Sequence, residues 1–191
     1  MTPNEYDFDQ QLMMSFGHAA SVDVCEVLVS LIPGALKAHP AAKENDRLGV
    51  DWWVEMTNAK HLAVDVKVRE NDWAASHPDD DDLALETWSV VEKGVIGWTR
   101  DVNKRCDYVL WLWKETGRYC LVPFPMLNRV FNNNWESWCC QYKVSTQLTR
   151  RVGSEYHSEC VFVPRRVVWA RIYDNYGGSM KLQEVWNFQW P

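Results

Sequence analysis

Val50-Asp51-Trp52-Trp53-Val54-Glu55-Met56 and Leu62-Ala63-Val64-Asp65-Val66-Lys67-Val68-Arg69 decide the fold class of this 191-residue chain. In both stretches every even position is apolar, and most odd positions are charged. A period of two is that of a strand with one buried face. Thr57-Asn58-Ala59-Lys60-His61 supplies a hairpin loop between them. Opposed residues of an antiparallel pair share a face, so even must oppose even and odd must oppose odd. The tightest such register sets Met56 against Leu62, Val54 against Val64 and Asp51 against Lys67. Asp51, Asp65 and Lys67 are thereby expected on one face of one hairpin.

Outward from this hairpin, residues 8–32 carry a helical stripe of Phe8, Leu12, Phe16, Val24, Val27, Leu28 and Leu31, ended by Pro33-Gly34. A polar loop from Lys37 to Arg47 leads into the hairpin. Downstream, the aspartates Asp79 to Asp82 read as a solvated loop and Leu83 to Val90 as a third strand. Glu92 to Arg105 reads as a short helix interrupted by Gly94 and Gly97. Cys106 to Trp113 is almost continuously apolar, as a central strand covered on both faces would be. Tyr119 to Val122 is a further strand. Phe124 opens a helix with Leu127, Val130 and Phe131 on one side, which Asn132-Asn133-Asn134 is expected to end. Cys160 to Val163 and Val167 to Tyr173 read as strands. The order predicts one α/β (α+β) domain over residues 1–191 with a mixed central sheet, its core at about 20–130 and a C-terminal extension over 141–191.

Composition narrows the function classes. The chain is 47% hydrophobic and 24% charged, and its 12 Trp, 7 Tyr and 6 Phe exclude a disordered or fibrous protein. No apolar run approaches the roughly 18–20 residues that a membrane helix needs. The acidic N-terminus does not read as a signal peptide, so a cytoplasmic location is expected. Net charge is −6, with 13 basic and 22 acidic residues over 1–140 but 7 basic and 4 acidic over 141–191. Phosphate-binding glycine motifs are absent, and the five histidines are scattered. Cys139, Cys140, His157 and Cys160 lack the paired spacing of a zinc site, and the cysteines read as ordinary thiols. Trp52, Trp111 and Trp169 read as core, whereas Trp53 and Trp88 fall on the face assigned to the acids.

Two carboxylates and a lysine on one sheet face suit phosphodiester hydrolysis. Mg²⁺ takes one or two carboxylates and completes its shell with water and substrate phosphate. A lysine two residues along a strand projects on the same side, where it can position a water or stabilise developing charge. Gly49-Val50-Asp51 followed after a turn by Val64-Asp65-Val66-Lys67-Val68-Arg69 resembles the PD-(D/E)XK nuclease superfamily, the restriction-endonuclease-like fold. Val50 stands where the family's nominal proline would be, and Asp65 where Glu is commoner. The resemblance implies a mixed central sheet flanked by helices, with extra C-terminal strands here. It implies that Asp51, Asp65 and the Val66 carbonyl hold Mg²⁺ or Mn²⁺ and that Lys67 positions the attacking water. Glu26 and Glu86 become accessory acids, the substrate a nucleic acid, DNA above all, and the product a 5′-phosphate. A single site that cuts both strands implies a homodimer.

Arg69, Arg150, Arg151, Arg165 and Arg166, with Lys143 and Arg171, are candidates for tracking a phosphate backbone. The competing reading is a catalytically inactive protein of the same fold that binds a basic partner protein, or inhibits it, through its acidic surface. Small DNA-processing or defence proteins of phages and bacteria fit either reading.

Overall fold

The computed structural model describes residues 4–7, 23–58, 60–151 and 154–176. In chain order the elements are β1 (Asn4–Asp7), α1 (Val24–Leu31), β2 (Ala35–Pro40), β3 (Trp52–Met56), β4 (His61–Arg69) and the one-turn α2 (Trp73–Ser76). Then come β5 (Asp82–Val90), β6 (Val95–Ile96), β7 (Tyr108–Trp113) and β8 (Tyr119–Pro123). Last are α3 (Phe124–Gln141), β9 (Lys143–Arg151), β10 (Ser154–Pro164) and α4 (Arg165–Tyr176). The strands form two five-stranded sheets, ordered β2-β3-β4-β7-β8 and β1-β9-β10-β5-β6. Both are mixed: β4 pairs with β7, and β1 with β9, in parallel, among antiparallel neighbours. The mixed α/β class is therefore as expected. The part of the first helix expected over residues 8–22 lies outside the described residues.

The hairpin forms, but in a register displaced by two: Val54 opposes Leu62 and Trp52 opposes Val64. The reason is a tighter turn, in which Met56 N–H closes on the Lys60 carbonyl at 2.9 Å. A shift of two preserves parity, so Asp65 and Lys67 still share a face. Upstream the parity breaks. Val50 packs with Ala63 and Trp111, whereas Val54 packs with Val64 and Leu110 on the opposite face. Asp51 N–H donates at 2.9 Å to the carbonyl of Val64, the residue that Trp52 also opposes. Two residues of one strand addressing one of the other is the arrangement of a β-bulge, which re-aims side chains.

The third member of the antiparallel meander is β2, not the strand after the hairpin. In β2 only Ala38 is buried, so this edge strand carries no alternation and reads as loop. The strand expected at Leu83 to Val90 exists as β5 but pairs with β10 and β6 in the second sheet. The helix expected over Glu92 to Arg105 is absent. A 3-10 turn (Val91–Lys93), left-handed Gly94 (φ 62°) and the two-residue β6 take its place.

Helix α3 runs through its three asparagines to Gln141. Asn132 Nδ2 donates to the Asn128 carbonyl (3.0 Å) and Asn134 Nδ2 to that of Val130 (2.7 Å), back along the helix instead of breaking it. The strand expected at Val167 to Tyr173 is helix α4, in which Val168 and Ile172, four apart, are fully buried.

One face of the first sheet is covered by α1, where Val24, Leu28 and Ile32 pack on Val54, Val64, Leu110 and Leu112. Its other face supplies Ala63, Val109, Trp111 and Trp113 to a larger core. Leu83, Leu85, Val161 and Val163 of the second sheet join it, with Phe131 of α3 and Ile172 of α4. The segment beyond residue 141 thus completes the shared core.

Candidate active site

Asp65 lies in the middle of β4 on the face turned to the larger core, and is 3% exposed. Two residues on, Lys67 Nζ stands 2.6 Å from Asp65 Oδ1. The contact is a short ion pair between a buried carboxylate and an ammonium. The bulge brings Asp51 to the same strand, where its Oδ2 accepts the Val66 N–H at 2.7 Å. The three residues singled out in the sequence are therefore brought together, with Asp51 beside Asp65 instead of opposite Lys67.

Electrostatics follow from this crowding. Burial, and next the neighbouring Asp65 carboxylate, push the Asp51 carboxyl up to about 6; Lys67 and the Val66 N–H offset only part of that rise. For Lys67, burial pulls toward the neutral amine. The charges of Asp65 and Asp51 outweigh it and hold the ammonium above its usual range. Glu86 adds to the same effect from β5. Its Oε2 accepts from Trp98 N–H at 2.8 Å and from Ser89 Oγ at 2.7 Å.

Residues invisible to periodicity complete the surroundings. The Trp98 ring lies under Lys67 Nζ, 4.7 Å from ammonium to ring centroid. Gly97 abuts the Glu86 backbone so closely that a methyl group there would stand 2.3 Å from the Glu86 carbonyl oxygen. Gly49 has φ +74°, and a methyl group on it would lie 3.0 Å from Lys104 Cδ and 3.7 Å from both Asp65 Oδ2 and Cys106 Sγ. Lys104 and Cys106 are therefore neighbours of the site. Burial, then the Asp65 charge, push the Cys106 thiol up to about 12, which rules it out as a nucleophile near neutrality. A glycine inside a presumed helix was the one available sign of the close approach at Gly97.

Other expected site residues lie elsewhere. Glu26 is exposed on the first turn of α1, and that helix packs on the opposite face of the sheet from Asp65 and Lys67. Arg165 pairs with Asp81, Nε to Oδ2 at 2.8 Å, instead of facing solvent unengaged. The aspartate run is correspondingly not all solvated loop: Asp81 is part-buried in ion pairs. Asp82, half-buried at the start of β5, has its carboxyl pushed up to about 6 by burial and then by Asp80. Arg150 Nε reaches Glu155 at 3.0 Å. Arg151 belongs to β9, opposite Ser154, and Arg166 is exposed on α4. Of the five arginines only Arg69, exposed two residues beyond Lys67, shares the strand and face of the site.

Among the described residues no group of three or more His, Cys, Asp or Glu side chains is arranged to hold a metal. The Asp51–Asp65 pair still fits Mg²⁺ or Mn²⁺, which need only one or two protein carboxylates. Asp65 is buried with Lys67 as its counter-ion, and its carboxylate and that of Asp51 repel one another, a crowding of charge that a cation would relieve. His157 is engaged by Glu92 through its ring and its backbone N–H. No described helix is long and apolar enough to cross a membrane. Comparison of the chain with protein-family models, curated proteins and solved structures finds no match.

Proposed function

We propose that the protein is a divalent-metal-dependent nuclease of the PD-(D/E)XK type that hydrolyses phosphodiester bonds, with DNA as the foremost substrate. The carrying observation is the convergence of Asp51 and Asp65 on one strand, with Lys67 Nζ 2.6 Å from Asp65. The chain order supports it: a helix (α1), a three-stranded antiparallel meander (β2-β3-β4), then β7 parallel to β4. That order is similar to the restriction-endonuclease-like core, with Asp51 immediately before the meander's second strand and Asp65 in its third. A fold of this kind hosts more than one function, so the argument rests on the site.

Asp51, Asp65 and the Val66 carbonyl would hold the cation. A divalent cation there would lower the pKa of a bound water and neutralise charge developing on the phosphate. The chain's own residues do the rest. Asp51 and Asp65, held close and partly dehydrated, offer paired charge that a cation relieves. Lys67 carries three N–H donors, and the charges of Asp65 and Asp51 hold it as the ammonium in the metal-free chain, a form that would direct a donor at the attacking water or at the phosphate oxygens. Glu86, with one oxygen committed to Trp98 and Ser89, holds the segment under Lys67.

Isothermal titration with Mn²⁺ separates this reading from the acidic binding module. Wild type is expected to bind Mn²⁺ at a site lost in Asp51→Ala, and its cleavage products are expected to carry 5′-phosphates. Absence of Asp51-dependent Mn²⁺ binding in folded protein would overturn the nuclease reading and favour the binding module.

A further inference from the structure

Lys67 is a flexible side chain whose ion-pair contact among the described residues is with Asp65, the carboxylate that the proposed chemistry needs for a cation. An ammonium tied to Asp65 alone would lose its anchor once Asp65 shares its charge, and a four-carbon stem with free rotamers would disperse it. The structure supplies a second anchor that makes no demand on Asp65. Trp98 presents its ring face to Lys67 Nζ at 4.7 Å, and an aromatic face attracts an ammonium without neutralising it.

The ring is itself fixed from three sides. It packs against Trp111 and Phe124, with centroids at 6.0 and 6.3 Å. Its backbone N–H is bonded to Glu86 Oε2, and the next residue, Thr99, accepts the Glu86 N–H through Oγ1 at 3.0 Å. Gly97 N–H donates to the Thr87 carbonyl at 3.0 Å. A segment clamped at three successive residues onto β5 is built to hold one side chain still.

We infer that Trp98 is a positioning residue for Lys67, holding the ammonium at the mouth of the Asp51–Asp65 pair whether or not Asp65 is engaged by a cation. The consequence for activity rests on the nuclease reading; the contact itself does not. Trp98 is placed to act on the turnover step through Lys67. Its loss should therefore lower kcat and spare KM.

Two measurements on the full chain test this. The ε-methylene protons of Lys67, assigned by NMR, should be shifted upfield by the indole ring current and should remain so when Mg²⁺ is added. They should stay upfield in Trp98→Phe and move to the ordinary lysine position in Trp98→Leu. Loss of the upfield shift in wild type on adding Mg²⁺, or its absence beforehand, overturns the inference without reference to any activity. In the cleavage assay Trp98→Leu should lose roughly 10- to 100-fold in kcat, the scale of a misplaced catalytic group, while Trp98→Phe recovers most of it. A Trp98→Leu enzyme with wild-type kcat, or one altered only in KM, also overturns it. If wild type cleaves nothing, the nuclease reading falls, and the ring-current result alone decides whether Trp98 holds Lys67.

Discussion

At the scale of single residues, Asp51 is where stability and function pull apart. Its carboxyl titrates near 6 in the folded chain against 3.8 for an ordinary aspartate, because it is buried beside Asp65. The folded state therefore holds this proton more tightly than the unfolded state between those values. Stability falls as pH rises through that window, and the ionised group is a net cost above it. Asp51→Asn should accordingly stabilise the protein by about 1–2 kcal/mol at pH 7.5. The gain should shrink to a few tenths of a kcal/mol at pH 3.5, where Asp51 is mostly protonated in both states of the wild type; urea denaturation at the two pH values measures it. The same variant should have lost cleavage, the expected trade at a site whose charges are crowded for chemistry. Asp65 and Lys67 were legible in the sequence because parity alone puts them on one face, whatever the register. Asp51 joins them by another route, a bulge that alternation cannot announce. Trp98 was not legible, since its role depends on a contact between segments 31 residues apart in sequence.

At the scale of elements, the segment from Gly94 to Asp101 is the part that sequence reasoning misjudged and the site depends on. Its backbone is held from β5 and from α3, where Asn128 Nδ2 donates to the carbonyls of Thr99 (2.9 Å) and Asp101 (3.3 Å). Asn132 Nδ2 does the same for Arg100 at 3.1 Å. Asn132, one of the three asparagines that suggest a helix end, is thus together with Asn128 a clamp of a neighbouring loop. Gly97→Ala places a methyl group 2.3 Å from the Glu86 carbonyl oxygen and 2.5 Å from its carbon. Backbone must move, so the change should cost about 3 kcal/mol, at the upper end for overpacking, and reduce cleavage more than stability alone explains. Asn128→Ala removes the amide donor from the Thr99 carbonyl, while Asp101 keeps the Lys104 N–H at 3.4 Å, and should cost about 1 kcal/mol in a urea melt. The hairpin, β7 and the start of α3 were legible because each buries a face in a regular period. Edge strand β2 and the helical nature of α4 were not. One buries a single residue, and the other shows valines, an isoleucine and aromatics whose β propensity is overridden by packing at i and i+4.

At the scale of the whole molecule, the two sheets are joined by a shared core and by one ionic cluster away from the site. Arg118 forks onto buried Asp72 with Nε and Nη2 at 2.8 and 2.7 Å and reaches Asp81 with Nη1 at 2.7 Å, while Arg165 holds the other oxygen of Asp81. These bonds tie β8 to the β4–α2 connection, the approach to β5 and the start of α4. Hydrogen bonds from Arg118 hold the Asp72 carboxyl below its ordinary range. That contribution is complete above the ordinary aspartate value and is lost as pH falls through the depressed one. Arg118→Met leaves Asp72 buried without its partner and should cost about 3–5 kcal/mol by denaturant unfolding. A chain ended after residue 141 should fail to fold cooperatively, because β10 and α4 supply Val161, Val163, Val168 and Ile172 to the core. The sequence suggested a core and an appended extension because strand order and sheet membership depend on long-range pairing, which local pattern does not encode. The central claim, that the Asp51–Asp65–Lys67 cluster performs metal-dependent phosphodiester hydrolysis, is tested most directly by cleavage of plasmid, linear duplex, single-stranded DNA and RNA. Wild type and Asp65→Ala are compared in Mg²⁺, Mn²⁺ and EDTA, with folding verified by far-UV circular dichroism. Cutting that requires the metal and disappears in Asp65→Ala is the predicted result; no cutting of any substrate by folded wild type, or full activity in Asp65→Ala, would contradict it.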